Sequence, residues 1–283
     1  MIEETKNPMK FAVVASNAGE YADPRLLVEL AREAESTGWD GFFVWDMLYS
    51  EDEPVVDTFV ALSAIAVSTE RIQLDTMALG LGRRRPWKLA REAVTLDMLS
   101  NGRLILAVGA GHPSDGALGW KGEVHELGER LARLDESLSI LEGLWSGQPF
   151  SFSGTHFSVE DATFHPRPVR GYIPIWVVTT RGLESLGPLR RAARMDGVVA
   201  GTTPQEVTEM MKIIQRERTR KTPFDVVIRY DLADPTPNSL ENISAWEAVG
   251  VTWCRCELRV SFDQLSEARE FLRAGPPRTT KTK

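Results

Sequence analysis

Short apolar or β-branched runs alternate along the chain with longer stretches of helical period. Residues 10–15 (KFAVVA) predict a first strand, and 24–37 predict a helix with Asp23 as N-cap, Pro24 at the first helical position and Gly38 past its end. The rhythm continues with a strand at 41–45, a helix at 57–67, a strand at 72–79 (IQLDTMAL) and a helix at 86–99 that stops at Asn101-Gly102. A strand at 104–108 follows, and after a long loop a helix at about 127–144. The segment 149–169 breaks the pattern, because FSFSGTHFSV alternates around a Ser-Gly turn and predicts an inserted surface β-hairpin. Strands at 175–178, 197–200, 225–230 and 251–257 then trade places with helices at 189–194, 204–218, 239–248 and 262–272, before a polar tail at about 275–283 that should fray. Eight strand-helix units in succession predict one α/β domain over residues 1–283, a (β/α)8 TIM barrel, since an open doubly wound sheet usually has about five or six strands. No GxGxxG opens a helix after the first strand, which argues against a dinucleotide fold.

Barrels of this kind place their chemistry at the C-terminal ends of the strands, so the residues just after each apolar run are the candidates. They are Trp45, Asp46 and Met47; Thr76, Met77 and Ala78, then Arg83 to Arg85; Gly109, Gly111, His112, Ser114 and Asp115; Thr179, Thr180, Arg181 and Gly182; Arg229, Tyr230 and Asp231; and Arg255 with Glu257. The set contains no metal-ligand spacing of His and carboxylates and no GxSxG elbow. A rim of glycine, small hydroxyl residues, Arg and Trp suits a large, flat, anionic ligand: glycine admits the ligand close to the backbone, Thr and Arg donate to phosphate, and tryptophan packs on an aromatic ring. Arg83 to Arg85 read either as an anion clamp or as a solvated face, and Arg255 with Glu257 either as a mutual ion pair or as a substrate contact.

Composition narrows the partners. The 283 residues are 42% hydrophobic and 26% charged, with a net charge of −7, which gives no pull toward nucleic acid or an anionic membrane surface. No apolar run approaches the ~20 residues of a membrane span, and the opening MIEETKNPMK has no signal-peptide character, so a cytoplasmic location is expected. The only cysteines, Cys254 and Cys256, stand two apart in an apolar run and are expected as packed thiols.

The stretch 65–111, with VSTERI and RRRPWKLAREAVTLDMLSNGRLILAVGAG, resembles the luciferase-like monooxygenases, the bacterial-luciferase superfamily of flavin- and deazaflavin-dependent oxidoreductases. The likeness continues through ERLARLDESLSILEGLWSGQPFSFSGTHFSV, FHPRPV, IPIWV and LRRAARMDGV, and so covers most of the chain. The resemblance implies a TIM barrel with an insertion that binds FMN or coenzyme F420 at its C-terminal mouth, commonly as a dimer. Asp46 matches the Asp of an Asp-His pair near the ring, and Met47 stands where the His would be. A non-prolyl cis peptide after the third strand would fall at Met77-Ala78, and a cofactor-contacting turn at Gly109-Ala110-Gly111. The phosphate-contacting Gly-Gly-Arg becomes Thr179-Thr180-Arg181.

The reading is therefore a flavin-dependent oxidoreductase, with FMN passing electrons to oxygen or to an organic acceptor. An F420-dependent hydride transferase is the alternative, and a non-catalytic flavin-binding barrel a third reading, motivated by Met47 and the lost glycines. His112 is the expected proton carrier, and Trp45, Met47 and Arg255 the expected substrate pocket. The expected partners are a small-molecule substrate, a flavin reductase supplying reduced cofactor, and a second copy of the chain.

Overall fold

Local signals bound several of the predicted strand-helix units in the computed structural model. It describes residues 8–112, 115–179, 182–200, 203–230, 243–258 and 264–277. β1 (Lys10–Ala15) leads to α1 (Pro24–Thr37), where the Asp23 side chain accepts from the Arg25 N–H and Gly38 closes the helix at φ 92°. β2 (Gly41–Val44) leads to α2 (Thr58–Ala66), capped by Asp57 accepting from the Val60 N–H. The predicted third strand is interrupted: β3 (Gln73–Thr76) stops, Met77-Ala78 forms a cis peptide where the resemblance placed one, and the two-residue β4 (Leu79–Gly80) follows. Next come α3 (Pro86–Leu99), β5 (Leu104–Gly109) and α4 (Leu127–Trp145). The insertion is the antiparallel hairpin of β6 (Phe150–Ser153) and β7 (Ser158–Ala162). The remaining pairs are β8 (Ile175–Val178) with α5 (Leu186–Arg194), β9 (Gly197–Val199) with α6 (Pro204–Glu217), β10 (Asp225–Tyr230) with α7 (Ile243–Ala248), and β11 (Trp253–Glu257) with α8 (Leu265–Ala274).

β2, β1, β11, β10, β9, β8 and β5 pair in parallel in that order, and β3 pairs with both β2 and β5 to close an eight-stranded ring. The closing join carries a slip. Leu74 and Asp75 stand opposite Leu104 and Ile105, whereas Leu79 and Gly80 stand opposite Val108 and Gly109. Three residues of the β3–β4 stretch thus face two of β5, one extra residue at the C-terminal end of the barrel.

Alternation along the strands sorts the side chains into two cores. Outward positions such as Val13, Phe42, Leu74, Leu106, Val177 and Ile228 pack under the helices. Inward positions fill the ring with Ala12, Val14, Phe43, Met77, Ile105, Ala107, Trp176, Val199, Val227 and Trp253. The Trp176 and Trp253 rings meet edge to face at 5.5 Å, and Phe43 touches both, so the interior is solid. Trp253 is therefore core and no wall of the mouth. Cys254 and Cys256 are buried free thiols, and burial pushes the Cys254 thiol well above its ordinary range. Among the described residues no helix is long and apolar enough to cross a membrane.

Candidate active site

Four loops converge at the C-terminal mouth, and buried polar groups fix each of them. The Asn17 side chain, just past β1, donates to the carbonyls of Met47 at 2.7 Å and Val56 at 2.8 Å and accepts from the Met47 N–H at 3.2 Å. It therefore sets the path of the loop after β2. In that loop the Asp46 side chain is 3% exposed and pairs with Arg83 at 2.7 Å and with Arg84, both from the turn after β4. Arg83 also pairs with Asp115 beyond β5, and Asp115 accepts from the Leu48 N–H and caps the 3-10 turn Gly116–Gly119. One guanidinium thus ties three loops together. Of the three consecutive arginines, Arg83 and Arg84 turn inward onto Asp46, and Arg85 alone is a solvated residue.

The turn after β5 has its own support. Arg130 of α4, buried, donates to the carbonyls of Ala110 at 3.0 Å and Gly111 at 3.1 Å. Gly111 adopts φ 91°, and a side chain on Gly80 would meet the Gly111 Cα at 3.2 Å, so both glycines are required by the close approach of these two turns. At Gly109, by contrast, an added Cβ would meet only Val178, at 3.9 Å. The space over that residue is open. Around it Trp45, Ala78, Ala110, Gly111, Val178 and Thr179 are half-buried and Met77 is buried, and Trp45, Ala78 and Val178 rest on the aromatic interior. The Thr179 hydroxyl donates to the Val199 carbonyl at 3.0 Å. Thr180 and Arg181 lie outside the described residues, as do Ser114 and Asp231.

His112 stands exposed directly after the Gly111 turn, on the rim. Met47 is half-buried beside Asp46, with Leu48 and the contacting Tyr49 and Trp120 rings making an apolar outer lip. On the opposite wall Arg255 and Glu257 form an ion pair with side chains 12% and 11% exposed, and the Arg229 Nε lies 3.9 Å from the same carboxylate. The structure thus brings Trp45, Asp46, Met47, Met77, Ala78, the 109–111 turn, His112, Thr179 and Arg255 to one end of the barrel.

Three polar groups that hold this end together were not singled out from sequence: Asn17, Arg130 and Asp75. Asp75 is fully buried inside the ring, and burial pushes its carboxyl up to about 7 against the hydrogen bonds from Ala107 and Thr76 and the charge of Arg255. Its signal was available, since a lone carboxylate interrupts the apolar run IQLDTMAL at an inward position. Arg130 and Asn17 carry no such signal, because nothing local separates them from solvated residues. Among the described residues no cluster of His, Cys, Asp and Glu forms a metal site.

Residues 9–233 match the family described as luciferase-like monooxygenase. A protein of Microbacterium testaceum (strain StLB037) named F420-dependent glucose-6-phosphate dehydrogenase is 31% identical over 212 residues, 72% of this chain and 60% of that protein. One of the same name from Rhodococcus hoagii (strain 103S) is 30% identical over 263 residues, 86% of this chain and 75% of that protein. The chain therefore spans less than two thirds of the first of these relatives and three quarters of the second. Among solved structures, an F420-dependent secondary alcohol dehydrogenase in complex with an F420-acetone adduct is similar with a TM-score of 0.76 at 17% identity, covering 96% of this chain and 99% of that one. The coenzyme F420 dependent tetrahydromethanopterin reductase from Methanopyrus kandleri gives 0.74 at 14% identity, covering 94% and 98%. At these identities the likeness is one of fold.

Proposed function

The chain belongs to the luciferase-like monooxygenase family, and from that premise we propose that it is a coenzyme F420-dependent oxidoreductase acting on a small organic substrate at the barrel mouth. The observation that carries the cofactor choice is that relatives about 30% identical, aligned over as much as 86% of the chain, bear F420 in their names. This reverses the order of the sequence reading, which placed FMN first and the deazaflavin second. The residues present fit a flat tricyclic group: open space above Gly109, a half-buried small-residue floor at Ala78 and Ala110, and a turn held rigid by Arg130. When bound, the deazaflavin supplies hydride transfer to or from the substrate.

The chain's own part is to bind, orient and exclude water. The 77–78 and 109–111 segments would hold the ring, and Met47 with Trp45 would offer an apolar wall to the substrate. Asp46 is engaged by two arginines, so in this reading it shapes the loop. His112, exposed at the rim, carries the proton that accompanies hydride transfer. The same proposal takes the protein as a cytoplasmic homodimer, supported by α2: TFVALSAIA has no charged residue, yet Val60 is 65% exposed, as an outer helix face covered by a second copy would be. Titration of the purified protein with F420 and with FMN, followed by cofactor fluorescence, tests the reading. Saturable binding of F420 with FMN weaker supports it, and the reverse order overturns it.

A further inference from the structure

Asp75 is placed where a barrel ordinarily carries an apolar side chain. It stands in register with Phe43 of β2 and Ile105 of β5, both in the aromatic interior, and is itself inaccessible to solvent. The one-residue slip between β3–β4 and β5 leaves Ala107 outside the register on that side, and the Asp75 Oδ1 accepts its N–H at 2.7 Å. The carboxylate is thus a substitute for missing backbone. Its Oδ2 is buried without a hydrogen-bond partner, and so is the Nε of Arg255, the guanidinium whose charge acts on Asp75. That guanidinium is already paired with Glu257 at the mouth. Two carboxylates, one inside the ring and one at its rim, face one cation.

The other charged inward groups are accounted for strand by strand. Lys10 of β1 lies over the Trp253 ring at 4.9 Å, and Asp225 of β10 accepts from the Trp176 indole and the Thr252 hydroxyl, both at the opposite end of the barrel. Arg229 of β10 sits by Glu257. Among the described residues the inward positions of β2, β5, β8 and β9 carry no charge.

We propose that Asp75 is a positioning residue for Arg255: while its carboxyl is protonated the guanidinium stays with Glu257 at the mouth, and when the proton is lost to solvent the guanidinium turns from Glu257 toward Asp75. Burial places that loss at about pH 7. The effect on ligand binding rests on the reading that the mouth holds an anionic cofactor; the movement of Arg255 does not.

Two measurements separate these. The first follows the arginine Nε resonances of 15N-labelled protein between pH 5.5 and 9, with Arg255→Lys to identify the signal. A signal that titrates in the wild type with a midpoint near 7 and is flat in Asp75→Asn supports the proposal. A signal flat in the wild type, or titrating alike in both, overturns it. Asn keeps an acceptor for Ala107, and the wild-type titration stands even if the variant does not fold. The second is the dissociation constant of F420, and of FMN, at pH 6 and pH 8.5. Binding about fivefold weaker at the higher pH in the wild type, and unchanged in Asp75→Asn, supports the link to the mouth, and an identical pH dependence in both proteins overturns it. If neither cofactor binds while the Arg255 signal titrates, the coupling of Asp75 to Arg255 is supported and the proposed function falls.

Discussion

Individual side chains at the mouth do unequal work, and burial ranks them. Arg83 neutralises two carboxylates whose side chains are 3% and 5% exposed, whereas Arg85, two positions on, faces solvent. Removing one partner of a buried pair costs roughly 3–5 kcal/mol, so Arg83→Met should lower the unfolding free energy by about that much while Arg85→Met leaves it within about 0.5 kcal/mol. Asp75 has the opposite sign. Its folded carboxyl titrates near 7 and its unfolded one near ~3.9, so the folded state binds the extra proton between those values. Stability from this group is complete below about pH 4 and is lost as pH rises to about 7. Asp75→Asn should therefore flatten the slope of stability between pH 4 and 7 and gain on the order of 4 kcal/mol at pH 8, at about 1.4 kcal/mol per unit of displacement. Unfolding in urea at several pH values checks both. His112→Asn belongs to the chemistry instead: it should cut turnover ~10²-fold with cofactor affinity nearly intact, and stopped-flow oxidation of reduced cofactor would show it.

Elements were legible where their signals are local. α1 and α3 begin and end at the predicted residues, because Asp23, Pro24 and Gly38 in one case and Pro86 in the other act on the backbone next to them. The third strand was legible only in part, since the slip that divides it is decided by the pairing with β5 and not by IQLDTMAL itself. The motifs that made the family recognisable mostly build scaffold. In VSTERI and SNGRL, Arg103 is buried at the start of β5 and donates to the carbonyls of Ala66, Thr69, Ile72 and Ser100, while Glu35 accepts from the backbone of Glu70, Arg71 and Ile72. Those contacts lie at the N-terminal face of the barrel, where sequence signals report stability. The site residues Asn17 and Arg130 were hidden, because each acts on a carbonyl distant in sequence. The hairpin is fastened by Glu136 of α4. Burial raises that carboxyl, and the N–H groups of His156, Thr155 and Phe157 outweigh it and hold it below its ordinary value. Glu136→Ala should speed amide exchange at 155–157 while the barrel strands stay protected, because the hairpin lies outside the ring.

At the scale of the whole molecule the surface is as informative as the mouth. Val60 and Val67 project from α2 and its C-terminal cap, and Met98 and Leu99 from the end of the neighbouring α3, all exposed. If a second copy covers this face, Val60→Glu should shift the protein to monomer in sedimentation velocity without unfolding it; a wild type already monomeric at high concentration would remove the dimer from the proposal. The ring itself is unevenly joined. β1 and β11 share a five-residue register, from Lys10 opposite Trp253 to Val14 opposite Glu257. β3 and β5 share two, a carboxylate spans the slip that follows, and β4 and β5 share two more. A hoop gives where its weld is interrupted, so excursions from the closed form should open this seam before the unbroken β1–β11 side. Ala78 and Gly109 lie on its two banks, and a molecule resting across them would act as a rivet. Occupancy would then be recorded far from any chemistry, as a barrel that breathes less.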